Sequence, residues 1–500
     1  FQQSVVNHSQ GHARVVAVAG AGKTTTLAHF IRARLEAGTS ARRILVLMYN
    51  KSAQVDFERR LSQLVESHRP EVRTFHSLGL KIYQRLVADG DLPAFQRDLI
   101  SESEMEGQVW RMLQQVAEDD ETRQDILSQR KKWVEPAVGF IDRVKAGLDS
   151  PELVFEALEL PTRCRIFIEL FERFESWRQS QRRITFADMI YDPVRYLTAN
   201  SSRAAAFGNH MEWLLVDEYQ DINAIQQALL DLLRGERGQV VVIGDPDQTI
   251  YEFRGSRPEY MTSEFERRYG SASSYQLPHS FRYGHQVALL ANHLIHHNSR
   301  RAEVVNVPAA GTPLTRVFRH TSVDGEESSK ILSVIQAALA NHQPDEIAVI
   351  CRLWALCAPV ELALLQAGLP YQSYTRNTVL DRWELRIFWI LFDIASGRFV
   401  QRSESERLDA WLTLLTTPFP KIRRADLETL AQNLSHCTSR LGAELQRHIP
   451  QSLSRWQKQQ LEVRAELIDV AEFGDGSAYR LANDYFEQTE LDEGIRDSAF

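Results

Sequence analysis

Residues 15–27 read VVAVAGAGKTTTL, an apolar run followed by a small-residue loop that ends in Gly-Lys-Thr. The run predicts a buried strand, and the residues after the loop predict a helix. Gly20 and Gly22 would let backbone N–H groups wrap a phosphate at contact distance, which a side chain would prevent. Lys23 can reach the β- and γ-phosphates, and Thr24 offers a hydroxyl to Mg²⁺. The stretch therefore predicts a nucleotide-binding P-loop.

The strand–loop–helix pattern recurs along the chain. Residues 43–48 and 72–77 each lead from an apolar or strand-like run into a helical pattern, and 213–216 and 240–243 are further apolar runs. Short apolar runs alternating with helices are typical of a buried parallel sheet. The sequence therefore predicts an α/β fold.

Two carboxylates follow the apolar run at 213–216. Asp217 could hold Mg²⁺, and Glu218 could accept a proton from an attacking water. An acidic pair at a strand end is more often simply solvated. The P-loop also follows a predicted strand, and the carboxyl ends of parallel strands meet at one edge of a sheet. We therefore expect the acidic pair to lie beside the P-loop.

The rest of the chain divides by pattern. A charged stretch with helical periodicity interrupts the first α/β region. A second α/β pattern follows the first α/β region, with strands expected near 303–307, 316–319 and 347–352 and a helix over 329–340. The expected domains are a first α/β domain (1–80 plus 185–275), an inserted helical domain (81–184), a second α/β domain (276–396) and a further helical region (397–500).

Composition narrows the class of protein. The chain has 500 residues, of which 43% are hydrophobic, and this predicts several domains. Its net charge of −8 excludes a uniformly basic, histone-like surface. The four cysteines show neither metal-ligand spacing nor a disulfide framework, as expected in a reducing cytoplasm. No run of about 18 apolar residues and no leader pattern occur, so we expect no membrane partner.

Six motifs in a fixed order resemble those of UvrD/Rep-type superfamily 1A DNA helicases. They are Gln2, AGAGKT at 19–24, FHS at 75–77, LLVDEYQD at 214–221, GDPDQTIYEFRG at 244–255 and SFRYG at 280–284. The resemblance implies a P-loop NTPase with RecA-like parallel-sheet motor domains and helical insertions. It also implies an ATP-dependent helicase that moves 3′ to 5′ on single-stranded DNA and unwinds 3′-tailed duplexes.

The resemblance also implies site residues. For ATP they are Gln2, Ala19, Gly20, Ala21, Gly22, Lys23, Thr24, Thr25 and Phe281, with Thr24 and Asp217 for Mg²⁺ and Glu218, Gln248 and Arg282 for catalysis. For DNA they are Tyr49, Asn50, Phe75, His76, Tyr251, Phe253 and Arg254. Flat side chains suit a translocating motor, because every base has a π-face. Taken singly, an aromatic residue is more often part of a core.

The chain departs from the family pattern at several positions. Ala17 replaces the first glycine of the P-loop, Thr25 replaces an arginine, and Phe253 replaces a tryptophan. A shorter first single-strand motif leaves either Met48 or Tyr49 in the aromatic place.

The family's last two motifs have no equivalent in residues 385–500. We therefore expect an internal piece of a longer protein, with an incomplete second motor domain (276–396) and a truncated helical insertion (397–500). Alone, this piece should bind ATP, show at most weak DNA-stimulated hydrolysis and not unwind DNA. Two alternatives stay open, namely a motor subunit of a helicase–nuclease and an ATP- and DNA-binding module without unwinding activity. Repair, replication or nuclease partner proteins are possible, and the sequence does not identify them.

Overall fold

The computed structural model describes residues 1–66, 68–96, 98–117, 119–298, 301–323, 325–373, 378–474 and 477–492. These residues form two compact units, Phe1–Phe318 and Arg319–Phe500.

A parallel sheet forms the centre of the first unit. Its six strands, counted over the described residues, lie in the order β3-β2-β4-β5-β1-β6. Their bounds are β1 Ala13–Ala17, β2 Ile44–Met48, β3 Glu71–Thr74, β4 Trp213–Val216, β5 Gln239–Gly244 and β6 Ser273–Leu277. Every residue of β2 and β4 is buried, as expected for strands covered on both faces. The α/β prediction is confirmed, whereas β6 was missed.

Helices surround this sheet and separate its strands. They are α1 Gln2–Val6, α2 Lys23–Glu36, α3 Lys51–Leu64, α4 Phe75–Ala88, α5 Glu102–Val116, α6 Asp120–Ser128, α7 Arg130–Lys145, α8 Pro151–Ala157, α9 Ile166–Ser180, α10 Asp188–Ala199, α11 Ser201–Ala204, α12 Ala224–Arg234, α13 Phe265–Tyr269 and α14 His285–Ile295. Two short strands, β7 His279–Ser280 and β8 Val307–Pro308, pair beside them. The helices α5 to α9 occupy the stretch where a helical insertion was predicted.

Helix α10 joins this insertion through a buried ion network. Lys145 Nζ lies 2.6 Å from Asp188 Oδ1 and 2.8 Å from Glu175 Oε1. Arg178 contacts the same two carboxylates and Asp192, 2.7 Å away. Burial alone would raise the pKa of Asp188, but Lys145 and Arg178 outweigh it and hold that pKa below its usual value. Two cations therefore lie among three closely spaced carboxylates and offset part of their negative charge inside the protein.

The second unit is mainly helical. Its helices are α15 Glu327–Leu339, α16 Cys357–Gln366, α17 Trp383–Ala395, α18 Glu404–Thr416, α19 Arg424–Leu434, α20 Leu441–His448, α21 Arg455–Phe473 and α22 Ala478–Gln488. Helices α17 to α22 share one hydrophobic core. No helix in the described ranges is both long and apolar enough to cross a membrane.

Two predicted strands are wrong. Residues 316–319 and 347–352 form no strand, and of 303–307 only Val307 belongs to one. Most apolar side chains of 316–319 and 347–352 are exposed, with Phe318 at 72% and Ile350 at 93%, whereas Val304 is buried. A parallel strand needs paired neighbours and cover on both faces, and the described residues supply neither here. The predicted helix at 329–340 is confirmed as α15.

We expect Lys145→Met to destabilise the protein by about 3–5 kcal/mol, because it leaves the Asp188 carboxylate buried without its closest cation. Urea unfolding would measure the change. The matched control is Arg173→Met, which breaks the half-exposed Arg173–Glu169 pair and should cost less than about 1 kcal/mol. Equal losses in the two variants would contradict a stabilising role for the buried network.

Candidate functional site

The loop between β1 and α2 has the backbone that its glycines predict. Gly20 and Gly22 adopt φ values of 75° and 80°, and Lys23 begins α2. A Cβ on Gly20 would lie 2.6 Å from Arg282 Cβ and 2.7 Å from Ser280 Oγ. Glycine is therefore required at position 20 by both conformation and space.

Gln2 closes the other side of this loop. Its side-chain Nε2 donates a hydrogen bond to the Ala21 carbonyl oxygen at 2.7 Å. A Cβ on Gly22 would lie 2.8 Å from the same Nε2 atom. Gln2 thus lies directly against the loop.

A cavity of about 450 Å³ lies in front of the loop. Its lining residues are Ala19, Gly20, Gly22, Lys23, Thr24, Thr25, Arg60, Glu218, Gln248, Phe281 and Arg282. All except Arg60 were predicted from sequence. Of the remaining residues predicted for ATP or Mg²⁺, Ala21 and Asp217 are almost fully buried, and Gln2 lies beside the loop.

Arg60 was missed by the sequence analysis. It lies on α3, and its Nη1 donates a hydrogen bond to Thr25 Oγ1 at 2.6 Å. A guanidinium therefore stands beside position 25, where the family pattern has an arginine. The only signal in the sequence is a basic residue on an amphipathic helix, which is typical of any solvated helix face.

The acidic residues after β4 face the lysine of the loop. Lys23 Nζ lies 3.2 Å from Glu218 Oε2. Asp217 is 4% exposed, and burial, together with the Glu218 charge, raises the pKa of Asp217 to about 7 against the opposing effect of Lys23. The cavity is thus lined by a lysine, two arginines and the Glu218 carboxylate, and the neighbouring Asp217 carboxylate is buried where its charged form is disfavoured.

This chemistry fits a hard divalent cation. Mg²⁺ prefers oxygen ligands from one or two carboxylates together with substrate phosphates. The Asp217 carboxylate and the Thr24 hydroxyl supply oxygen donors beside the loop. A cation here would offset the unfavourable burial of Asp217.

A second, larger cavity is a groove of about 1200 Å³ on the same unit. Five residues predicted for DNA line it, namely Tyr49, Asn50, His76, Phe253 and Arg254. Basic residues from the sheet side also line it, namely Lys51, Arg73 and Lys81. Acidic residues line it from the helical insertion, namely Glu102, Glu106, Glu135 and Asp142. Most basic lining residues therefore come from the sheet side and most acidic ones from the helical insertion, with Asp221 and Lys145 as exceptions.

The aromatic residues of the groove contact one another. Tyr49 and Tyr251 are stacked with centroids 5.0 Å apart, so Tyr49 rather than Met48, which is buried, takes the aromatic place. The Arg254 guanidinium lies 5.5 Å from the Tyr251 centroid and 5.4 Å from that of Phe253. Phe253 is 70% exposed. These flat groups are placed together, with Phe253 open to solvent.

Two of the predicted DNA residues have structural roles. Phe75 is 0% exposed and belongs to the core, so its side chain does not reach the groove. Its position at the start of α4 turns it toward the sheet. Asn50 is the N-cap of α3, and its Oδ1 accepts the Ala53 N–H at 2.8 Å. A sequence motif does not distinguish these roles from ligand contact.

Phe186 was missed. It lines the groove, is 56% exposed and stacks on His76 with centroids 4.0 Å apart. Burial lowers the pKa of His76 to about 4. The predicted bounds place residue 186 just inside the first α/β domain, and only folding brings this phenylalanine against the residues that follow β3.

A parallel sheet, a glycine loop at the start of a helix and carboxylates at the neighbouring strand ends together define an α/β P-loop nucleotide-binding protein. The sequence model of the UvrD/REP helicase N-terminal domain family matches residues 1–269. This match covers more than half of the chain, and the protein belongs to that family. The resemblance found in the motifs is confirmed.

Individual relatives are similar over most of the chain. ATP-dependent DNA helicase Rep of Escherichia coli (strain K12) is 26% identical over 444 residues, which is 86% of this chain and 62% of the relative. ATP-dependent DNA helicase UvrD2 of Mycobacterium tuberculosis (strain ATCC 25618 / H37Rv) is 25% identical over 443 residues, 83% of this chain and 60% of the relative. The chain thus spans about 60% of the length of these curated relatives.

We expect the pH dependence of stability to report the buried His76. Its folded pKa of about 4 lies below the reference 6.5, so the neutral ring is favoured in the folded protein. This contribution is fully present above about pH 6.5 and is lost as the pH falls toward 4. Between pH 7 and pH 5 the wild type should lose on the order of 1–2 kcal/mol more than His76→Phe, measured by urea unfolding. If the free energies of unfolding of the wild type and of His76→Phe change equally with pH, the folded protein does not favour the neutral His76 ring.

Proposed function

We propose that this chain is the motor portion of an ATP-dependent DNA helicase that translocates on single-stranded DNA. The observation that carries the proposal is the pairing, in one unit, of a P-loop cavity with an aromatic groove. The segment after β4 serves both, because Glu218 lines the cavity and Asp221 lines the groove. The relatives that match most of the chain are named ATP-dependent DNA helicases, which supports the same function.

In the cavity, we assign the phosphates of ATP to the loop backbone, to Lys23 and to the N-terminus of α2. Lys23 would leave Glu218 for the γ-phosphate and so free that carboxylate to accept a proton from the attacking water. Arg282 would stabilise charge on the transferring phosphoryl group, and Gln248 would contact the γ-phosphate. Mg²⁺, when bound by Thr24 and Asp217, supplies charge neutralisation on the phosphates.

The adenine would stack on Phe281, which is 59% exposed and forms part of the cavity wall. Gln2 would read its polar edge. Arg60 would provide the positive charge that an arginine at position 25 supplies in the family pattern, since the Arg60 guanidinium already reaches the Thr25 hydroxyl.

In the groove, we assign DNA bases to Tyr49, Tyr251, Phe253 and Phe186, with Arg254 between two of these rings. Base stacking suits a motor because it works without reading sequence. The basic wall beside Lys51 and Arg73 would face backbone phosphates. The acidic wall would repel them, which favours a strand that turns its phosphates to the sheet side.

The finer features of the proposal follow the resemblance. They are movement from 3′ to 5′, unwinding of 3′-tailed duplexes, and the division into motor domains and helical insertions. The six-stranded sheet supports a first motor domain built from residues 1–80 and 185–275, and α5 to α9 support the insertion at 81–184.

We expect Lys23→Ala and Glu218→Gln to separate binding from hydrolysis. Lys23→Ala removes the charge that reaches the phosphates and should weaken both ATP affinity and turnover. Glu218→Gln removes the proton acceptor and should lower turnover by about 10²-fold or more while ATP affinity stays within a few fold. Nucleotide titration and steady-state hydrolysis measure the two quantities. Equal loss of ATP affinity in both variants would contradict the assigned roles.

We expect Phe253→Ala to cost about 1–3 kcal/mol of affinity for oligo-dT, because the variant loses an exposed stacking surface. Fluorescence anisotropy at fixed salt would measure the affinity. The control is Leu153→Ala on α8, a 56% exposed apolar side chain outside the groove, which should leave the affinity unchanged. If Phe253→Ala binds like this control, the aromatic groove is not the DNA site.

A further inference from the structure

Gln220 lies in a short turn, Tyr219–Asp221, directly after β4, and is 2% exposed. Its side-chain Nε2 donates to Glu218 Oε2 at 3.0 Å and to Asp221 Oδ2 at 3.1 Å. Its Oε1 accepts the backbone N–H of Asp245 at 3.0 Å. Both the nitrogen and the oxygen of the Gln220 side-chain amide, next to the cavity, therefore have hydrogen-bond partners.

These contacts fix the orientation of the amide. The N–H₂ end must face the two carboxylates, and the oxygen must face the N–H of Asp245. The opposite orientation would place oxygen against oxygen and N–H against N–H. Space is also restricted, since a Cβ on Gly244 would overlap Gln220 Oε1. Gly244 therefore lies directly against the amide oxygen of Gln220.

The same amide connects two parts of the cavity wall. Asp245 follows β5, and its carboxylate accepts a hydrogen bond from Gln248 Nε2. Gln248 and Glu218 both line the cavity. A continuous set of hydrogen bonds therefore runs from Glu218 through Gln220 and Asp245 to Gln248.

Glu218 depends on the hydrogen bond from Gln220 once Lys23 moves to a phosphate. The Glu218 side chain is 37% exposed, and its contacts are Lys23 at 3.2 Å and the Gln220 amide. When Lys23 turns to a phosphate, the amide is the remaining donor that can hold the carboxylate toward the cavity. A charge-assisted hydrogen bond of this kind is both directional and strong.

We propose that Gln220 is a positioning residue that holds the Glu218 carboxylate in the orientation required to accept a proton from water. The inference rests on the proposed function, and it adds to it a residue that does not itself touch nucleotide. Displacement of a reacting group by about 1 Å can cost 10²-fold in rate. Loss of the amide should therefore lower turnover without a matching loss of ATP binding.

The test uses two substitutions in the purified protein. Gln220→Leu removes the donors and the acceptor, and Gln220→Glu retains an acceptor for Asp245 N–H but places a third carboxylate beside Glu218 and Asp221. In both variants we expect kcat for ATP hydrolysis with oligo-dT to fall by about 10–100-fold. The ATP dissociation constant should change by less than about threefold, because binding depends on the loop and Lys23.

The matched control is Gln227→Leu. Gln227 is also buried, at 1% exposure, and it lines neither cavity. Its Nε2 donates to the Tyr269 hydroxyl at 2.8 Å, and its Oε1 accepts from the Tyr219 hydroxyl at 2.5 Å, so it contacts the same turn without contacting Glu218. This variant should melt at a lower temperature and retain kcat. It thereby measures how far loss of a buried glutamine by itself affects activity.

The outcomes separate the two proposals. If Glu218→Gln is inactive while both folded Gln220 variants keep wild-type kcat, the positioning role is wrong and the proposed function stands. A parallel loss of kcat and ATP affinity in the Gln220 variants would likewise overturn the positioning role. If Glu218→Gln retains wild-type turnover, or the wild type does not hydrolyse ATP, the proposed function itself fails.

Discussion

The close approach of the P-loop to residues 280–282 is the constraint on which the site depends. The Gly20 carbonyl accepts the Phe281 N–H at 3.0 Å, and no Cβ fits between this loop and Arg282. Segments far apart in the chain are thereby brought into backbone contact. A cavity with a phosphate loop on one side and an arginine and an aromatic ring on the other follows directly from that contact.

The parallel sheet explains why the remaining groups converge. The carboxyl ends of β1, β4 and β5 lead into the P-loop, the Asp217–Glu218 pair and the turn that carries Gln248. The neighbouring strands β2 and β3 lead into the groove, at Tyr49 and His76. Because parallel strands all end at one edge, a single sheet positions one side of both cavities. Residues 281–282 complete the first cavity, and the helical insertion completes the groove.

Short hydrogen-bonded segments tie the two cavities together. Ser256 Oγ donates to the Asp221 carbonyl oxygen at 2.6 Å, which fastens the loop that carries Tyr251 and Phe253 to the segment that carries Glu218. Gln220, between Glu218 and Asp221, extends the same network to Asp245. A displacement of the segment from Glu218 to Asp221 would therefore also move groups that line the P-loop cavity and groups that line the aromatic groove.

The sequence by itself determined the P-loop, the strands at β2, β4 and β5, and most of the cavity lining, because these depend on local backbone preferences and on motifs with fixed spacing. Tertiary structure decided the rest. The edge strand β6 is largely exposed and has no apolar run to reveal it. Arg60 and Phe186 acquire their partners through helix packing, and Phe75 is turned into the core. The apolar segments at 316–319 and 347–352 remain outside any strand, since strand formation requires a paired neighbour and local hydrophobicity does not provide one.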